Sequence, residues 1–320
     1  MDYMFEYPPV VGVLWSVSTL PRMFLPGDEA VYAHYVLQAL FTGLAAFYLG
    51  KDLLWLSDRL ERRVPVYLLF LMPSFIVYSV YNWDIIAIAL GIRGLRYFLE
   101  DRKLMAGVFF GLALGTKVYP GLIVLAVLRE RGRRALGALY FTIATSLALM
   151  FIMFIHPRGF MDFVSYHFNW IIEGSWWLLL ARGLDDRLII GLAKLAMTLS
   201  LVLALVPRIR GGVEERIIIR SWLVITAPLL FSYVYSPQMN LMVIPLTMLL
   251  ASPDLLAIIA LQDLAAATVI LTWFSSSDPL DKFSIPSIAS YIKCLLLAVI
   301  LAVYIRRYII IGEQRSYTRV

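Results

Sequence analysis

The sequence predicts an all-α fold, a polytopic bundle of transmembrane helices. Three observations carry this reading. Hydrophobic residues fill 61% of the 320 positions and charged residues only 16%, where a soluble domain runs near half and a quarter. The apolar stretches are long and continuous, whereas strands of a membrane β-barrel would alternate. The basic residues gather in every second connection between those stretches. Together these exclude an ordinary cytosolic enzyme and a disordered chain. Cys294 is the only cysteine, so a disulfide scaffold within the chain is excluded as well. The net charge of +6 then reports topology, and no nucleic-acid partner is expected.

A crossing helix needs about 20 apolar residues. Runs of this kind fall at 31–50, 64–80, 83–99, 104–116, 118–128, 135–155, 188–206, 217–235, 238–250, 255–274 and 287–305. That gives about 11 spans, of which 104–116 and 118–128 are short enough to be a tilted pair or a hairpin. The apolar run from Pro9 to Leu20 has only 12 residues and is bracketed by Pro8, Pro9, Pro21 and Pro26. It fits a short re-entrant or interfacial helix. The chain therefore reads as a single integral-membrane domain, 1–320. It comprises an external loop with the re-entrant helix (1–30), a first helical group (31–155) and an external amphipathic loop (156–187). A second helical group (188–305) and a cytoplasmic tail (306–320) complete it.

Orientation follows from the lysines and arginines. One set of connections, from Lys51 and Arg59 through Arg93, Arg129 and Arg208 to Arg306 and Arg307, holds 20 of the 28 basic residues and is expected to be cytoplasmic. The other set holds eight, together with eleven of the 22 acids and all three histidines, His34, His156 and His167. The cytoplasmic connections are too short for a nucleotide-binding domain, and no phosphate-binding glycine loop occurs. No cofactor is expected. Neither HExxH, CxxC nor DxD is present, so no metal site is predicted. Chemistry, if any, is expected on the non-cytoplasmic face of a multi-pass protein of the cell membrane.

The polar residues of that face form short turns. Asn82-Trp83-Asp84 precedes the run 83–99 and reads either as a helix cap or as polar lining of a cavity. Thr116-Lys117-Val118-Tyr119-Pro120 is a second tight turn. A lysine at such depth snorkels to head groups or meets an anion. Ser236-Pro237-Gln238 makes a third, beside Asn240. The connection 156–187 carries His156, Arg158, His167 and Glu173 with Trp170, Trp176 and Trp177, and reads as an amphipathic segment at the membrane surface or a lid over a site. Asp263 lies inside the run 255–274. It reads as a structural hydrogen-bonding group with Gln262, or as a functional acid.

In order along the chain stand FEYPPV at 5–10, YNWD at 81–84, TKVYPGL at 116–122 and SPQMNLMVIPL at 236–246. This succession resembles the GT-C superfamily of integral-membrane glycosyltransferases, and most closely glycosyltransferase family 87, the polyprenol-phosphate-mannose-dependent mannosyltransferases. The family has a first transmembrane helix and an external loop with a catalytic aspartate before YPP. Here only Asp2 and Glu6 precede YPP, and the expectation is that a first span lies upstream of Met1. In relatives with a pattern like YRDFxFEYPP the acid sits close to YPP, and Asp2 matches it.

The resemblance implies a donor sugar, mannose in the family, on a polyprenyl or dolichyl phosphate, with a glycolipid or glycan as acceptor and membrane lipids as surroundings. A carboxylate, Asp2 with Glu6 beside it, would take the acceptor's proton while the sugar carbon is attacked with inversion. Lys117, His156 and Arg158 would meet the leaving phosphate. Tyr7, Asn82, Asp84, Tyr119 and Gln238 would line the substrate cavity. A transporter or flippase and an inactive scaffold relative are the competing readings. The first would require matched broken helices in two related halves, and no internal repeat is visible in the sequence.

Overall fold

A computed structural model describes residues 8–61, 66–79, 82–154, 157–181 and 185–309. Its described residues form helices joined by short turns, with no strands. The α-helices are α1 (Pro9–Thr19), α2 (Gly27–Arg59), α3 (Pro73–Tyr78), α4 (Asp84–Leu99), α5 (Lys103–Leu114), α6 (Val118–Gly121) and α7 (Ile123–Arg131). They continue with α8 (Leu136–Phe154), α9 (Pro157–Phe168), α10 (Asp186–Leu205), α11 (Val213–Phe231), α12 (Asn240–Leu250), α13 (Leu256–Trp273) and α14 (Ile285–Tyr308).

Among the described residues, five segments are long and apolar enough to cross a membrane: Gly27–Arg59, Val118–Phe154, Asp186–Leu205, Pro253–Trp273 and Ile285–Tyr308. The expected count of eleven goes beyond these five. The run 64–80 departs most from expectation. Proline has no N–H to continue a helix and pushes the residue before it towards extended backbone. Met72 accordingly sits at ψ 129°, and Pro73 opens a new helix. The described part of the run is thus a 3₁₀ turn (Val66–Leu71) followed by the two turns of α3. The predicted short N-terminal helix is present as the 11 residues of α1.

The ends of the long helices obey electrostatics. Asp28 and Glu29 occupy the first turn of α2 and Arg59 its last, each matching the sign of the helix dipole. Asp185 caps α10 through the Arg187 N–H, and Ser284 caps α14 through the Ser287 N–H.

Helices α4, α11 and α12 form the buried centre; every residue of α12 is buried. Around them stand α2, α5, α8, α10, α13 and α14, which turn apolar side chains such as Tyr140, Leu147, Phe151, Leu195 and Leu203 outwards. Such an apolar exterior around helices that satisfy their backbone groups internally is what a lipid environment selects. Where the helices meet closely, small residues permit it. A Cβ on Gly107 would lie 2.4 Å from the Ala138 carbonyl oxygen, and one on Gly111 2.5 Å from Thr145 Cβ. The GxxxG spacing thus seats α5 against α8.

The bundle has two ends. Helix α4 runs 16 residues from Asp84 to Leu99, about 24 Å at 1.5 Å per residue. Its far end, with the start of α11, lies among the arginines. There Arg93 and Arg96 both bond Asp52, Arg216 and Arg220 both bond Glu130, and Arg59 bonds Glu214. The near end of α4 and the end of α11 lie at a cavity.

Candidate functional site

Helix α5 stops at Gly115, and the chain doubles back there. Thr116 Oγ1 donates to the Leu112 carbonyl, and the Lys117 N–H to that of Ala113. Lys117 is extended (φ −156°, ψ 140°) as it enters α6, so its side chain turns to the start of α4. There its Nζ lies 3.1 Å from Asp84 Oδ1. The approach is electrostatic rather than directional, because among the described residues neither oxygen of the fully buried Asp84 carboxylate takes a hydrogen bond. Asn82 Oδ1 accepts the Asp84 N–H at 3.0 Å, a local turn just ahead of α4; the cap position itself is Trp83, which makes no side-chain cap bond. The Val10 N–H donates to the Gly115 carbonyl at 2.9 Å, which pins α1 to the same turn.

A second construction closes the site. Glu173 and Val234 form an isolated parallel bridge, with the Glu173 N–H donating to the Tyr233 carbonyl at 3.1 Å and the Tyr235 N–H to the Glu173 carbonyl at 3.0 Å. The last carbonyls of α11 would otherwise be orphaned. The Trp176 and Trp177 indoles donate to those of Leu230 and Phe231 at 3.0 and 2.8 Å. Beneath, Lys293 is completely buried and donates to the carbonyls of Gly174 and Tyr235, with its ammonium 3.8 Å from the Tyr235 ring centre. Asp263 is tied to Ser74 and Asn240, and Asn240 to Gln262 and Tyr235. This is the structural reading of Asp263 given above: a buried acid whose bonds fix the Ser236-Pro237-Gln238 turn against α3 and α13.

Between these constructions lies a cavity of about 720 Å³. Asn82, Lys117, Tyr119 and Gln238 all line it, with Pro8. Four of the sequence-predicted residues are therefore brought together. Asp84 stands behind Lys117. Tyr119 Oη approaches Met197 Sδ at 3.4 Å. Arg158 is exposed on α9 and is not among the lining residues. Asp2, Glu6, Tyr7 and His156 lie outside the described residues.

Residues 5–232 match the family model for glycosyltransferase family 87, well over half of the chain. The chain belongs to glycosyltransferase family 87. No curated protein matches it. The family match includes Asn82, Asp84, Lys117, Tyr119 and the whole connection that carries Glu173; Gln238 and α12 to α14 lie beyond it. A glycosyltransferase must accommodate a sugar donor and an acceptor, and the cavity is large enough for a drug-sized ligand by the usual range of a few hundred to about 1,000 Å³.

Sequence reasoning did not select Phe163, Tyr166, His167, Trp170, Glu173, Lys194 or Tyr233 as site residues, yet they line the cavity too. A signal was available. His167, Trp170 and Glu173 lie in the connection singled out for its aromatic and charged residues. Helix α9 there carries a polar and an apolar face. Lys194, midway along an apolar run, carried the same depth signal as Lys117.

Proposed function

We propose that the protein transfers a sugar, mannose by family resemblance, from a polyprenyl- or dolichyl-phosphate donor to a glycolipid or glycan acceptor. The reaction takes place at the non-cytoplasmic face, with inversion at the sugar carbon. One observation carries this reading: the turns YNWD, TKVYP and SPQ, far apart in sequence, contribute Asn82, Lys117, Tyr119 and Gln238 to one cavity with Pro8. The sparse basic charge at that end supports its being non-cytoplasmic.

The acceptor oxygen attacks the anomeric carbon while a carboxylate removes its proton. The bond to the lipid phosphate breaks, and the phosphate leaves with the electron pair. Lys117 stands where that charge can be met: its side chain is 14% exposed, and its carboxylate partner is fully buried. A cation held in place beforehand stabilises charge that develops in the transition state without reorganising. His156 would add to the phosphate end, membrane lipid would surround the donor's tail, and Arg158, exposed on α9 outside the cavity, is left out of this role. Asp2 is the first candidate for the base and Glu6 the second.

The test is transfer in vitro. The purified chain in lipid nanodiscs is given radiolabelled polyprenyl-phosphate mannose and a lipid and glycan extract. A labelled product with inverted anomeric configuration is expected, and it should fall sharply in Asp2→Asn or Glu6→Gln. A folded chain that leaves the donor intact in the presence of every acceptor fraction would defeat the proposal. A variant pair with unaltered turnover would move the base elsewhere.

A further inference from the structure

The phosphate end accounts for Lys117 and its neighbours but leaves another wall of the cavity without a role. That wall is aromatic with one carboxylate. The ring centres of Tyr166 and Trp170 lie 5.0 Å apart, and those of His167 and Trp170 5.4 Å apart at 73°. The Trp170 indole N–H donates to Glu173 Oε2 at 3.2 Å. Glu173 is half-buried, and among the described residues its Oε1 takes no hydrogen bond. His167 Nδ1 lies 2.8 Å from the Phe163 carbonyl oxygen. Only an N–H can bond a carbonyl, so the proton of the neutral ring sits on Nδ1 and Nε2 is left as an acceptor.

We infer that Trp170, His167 and Glu173 form a subsite for a saccharide ring, that of the acceptor; the inference rests on the glycosyltransferase reading of the same cavity. A pyranose has a face of C–H groups and a rim of hydroxyls. The C–H face suits the electron-rich face of an aromatic ring. The hydroxyls donate to acceptors: Glu173 Oε1, and His167 Nε2 in the neutral Nδ1–H tautomer. Hydrogen bonds to an ionised acceptor are the stronger kind. Two other occupants fit less well. A second phosphate would meet the Glu173 charge, and a lipid tail would desolvate a carboxylate without bonding it. The wall is also pre-set. The Glu173 backbone is held on both sides by the Val234 bridge, and Ser175 Oγ donates to the Tyr233 carbonyl at 3.0 Å. A fixed side chain loses little entropy when it binds. The saccharide can be carried on a lipid or be part of a free glycan, since the ring chemistry is the same.

The experiment uses the full chain in nanodiscs and three probes: methyl α-mannopyranoside, octyl α-mannopyranoside and decyl phosphate. Binding is read by saturation-transfer NMR and competition. Trp170→Ala and Glu173→Gln should each weaken glycoside binding about tenfold while decyl phosphate still binds. Trp170→Phe should restore part of the glycoside binding and guards against misfolding of the alanine variant. Lys117→Gln should do the reverse, losing decyl phosphate and keeping the glycosides. If octyl mannoside binds far more tightly than methyl mannoside, the saccharide is lipid-borne; equal affinities mean a free glycan. Glycosides that bind the two wall variants as well as they bind the unaltered chain, or that fail to bind the unaltered chain at all, overturn the subsite. Glycosides that bind as expected while decyl phosphate binds nothing would leave the subsite standing and remove the lipid-phosphate donor.

Discussion

The two ends of the bundle use the same residue types to different purposes. At the arginine end acids and bases are closed against each other. Asp52, fully buried, takes Arg93 at 2.5 Å and Arg96 at 2.9 Å, and Glu130 takes Arg216 at 2.9 Å and Arg220 at 2.7 Å. The guanidinium of Arg220 is completed by the carbonyls of Ala204 and Pro207. At the cavity end the valences stay open. Asp84 faces Lys117 but accepts no hydrogen bond, and Glu173 bonds through one oxygen. Closed networks lock helices together. Open ones, placed around a cavity, leave donors and acceptors for a ligand.

The sharpest way to break this comparison is to open a closed network. Glu130→Gln leaves the guanidinium of Arg220, 1% exposed, without its counter-charge. Removing one partner of a buried pair costs about 3 kcal/mol or more. The variant should unfold well below the unaltered chain in a thermal scan, while turnover per folded molecule stays normal. The cavity end should behave the other way round. Lys117→Gln combined with Asp84→Asn, which leaves no buried carboxylate without its counter-charge, should lower sugar transfer about a hundredfold, equivalent to about 2.7 kcal/mol of transition-state stabilisation, with little change in the melting curve. Equal losses of stability and turnover in both variants would erase the distinction between the ends.

The long spans were legible because apolar length is a strong signal. Helices α2, α8, α10, α13 and α14 fall where the hydropathy places them. The break at Pro73 was legible in principle but was overridden by the continuous apolar run around it. The cavity was legible in part, through short polar turns between apolar segments, and these name Asn82, Lys117, Tyr119 and Gln238. Sequence could not supply the pairing of Lys117 with Asp84, which lie 33 positions apart and meet only because α5 folds back along α4. Nor could it show that Glu173 docks on Val234. That contact depends on Lys293 from α14 reaching beneath both loops, and such a meeting leaves no periodicity in the chain.

The Glu173 platform gives an intermediate case, in which stability and binding should fall together. Gly174 has φ +60°, and a Cβ there would come within 2.6 Å of the Tyr235 carbonyl oxygen. Left-handed backbone and a backbone clash both penalise a side chain. Gly174→Ala should therefore cost about 2 kcal/mol in thermal unfolding. It should also weaken methyl mannoside binding, because the bridge to Val234 must shift. Lost stability with unchanged glycoside binding would separate the platform from the subsite.

The smallest effect belongs to a closed pair that water already reaches. Arg59 and Glu214 bond at 2.6 and 2.8 Å in bidentate geometry, yet their side chains are 41% and 32% exposed. Solvent screening reduces such a pair to about 0.5 kcal/mol, so Arg59→Ala should leave turnover normal and shift the melting curve only slightly. The pH dependence has a definite sign. The hydrogen bond from Arg59 holds the Glu214 carboxyl below its ordinary value. A depressed carboxyl stabilises the folded chain above the unfolded value, near pH 4.3, and loses that contribution as the pH falls through the folded one. At neutral pH the small difference between Arg59→Ala and the unaltered chain should thus be complete, and it should vanish once the pH has fallen through the lowered folded value of Glu214. It should also shrink in high salt, because the Debye length falls to about 3 Å at 1 M. A difference that survives both acid and salt would mean that Arg59 stabilises through its packing over Trp55, whose ring centre lies 5.0 Å from the guanidinium carbon, rather than through its charge.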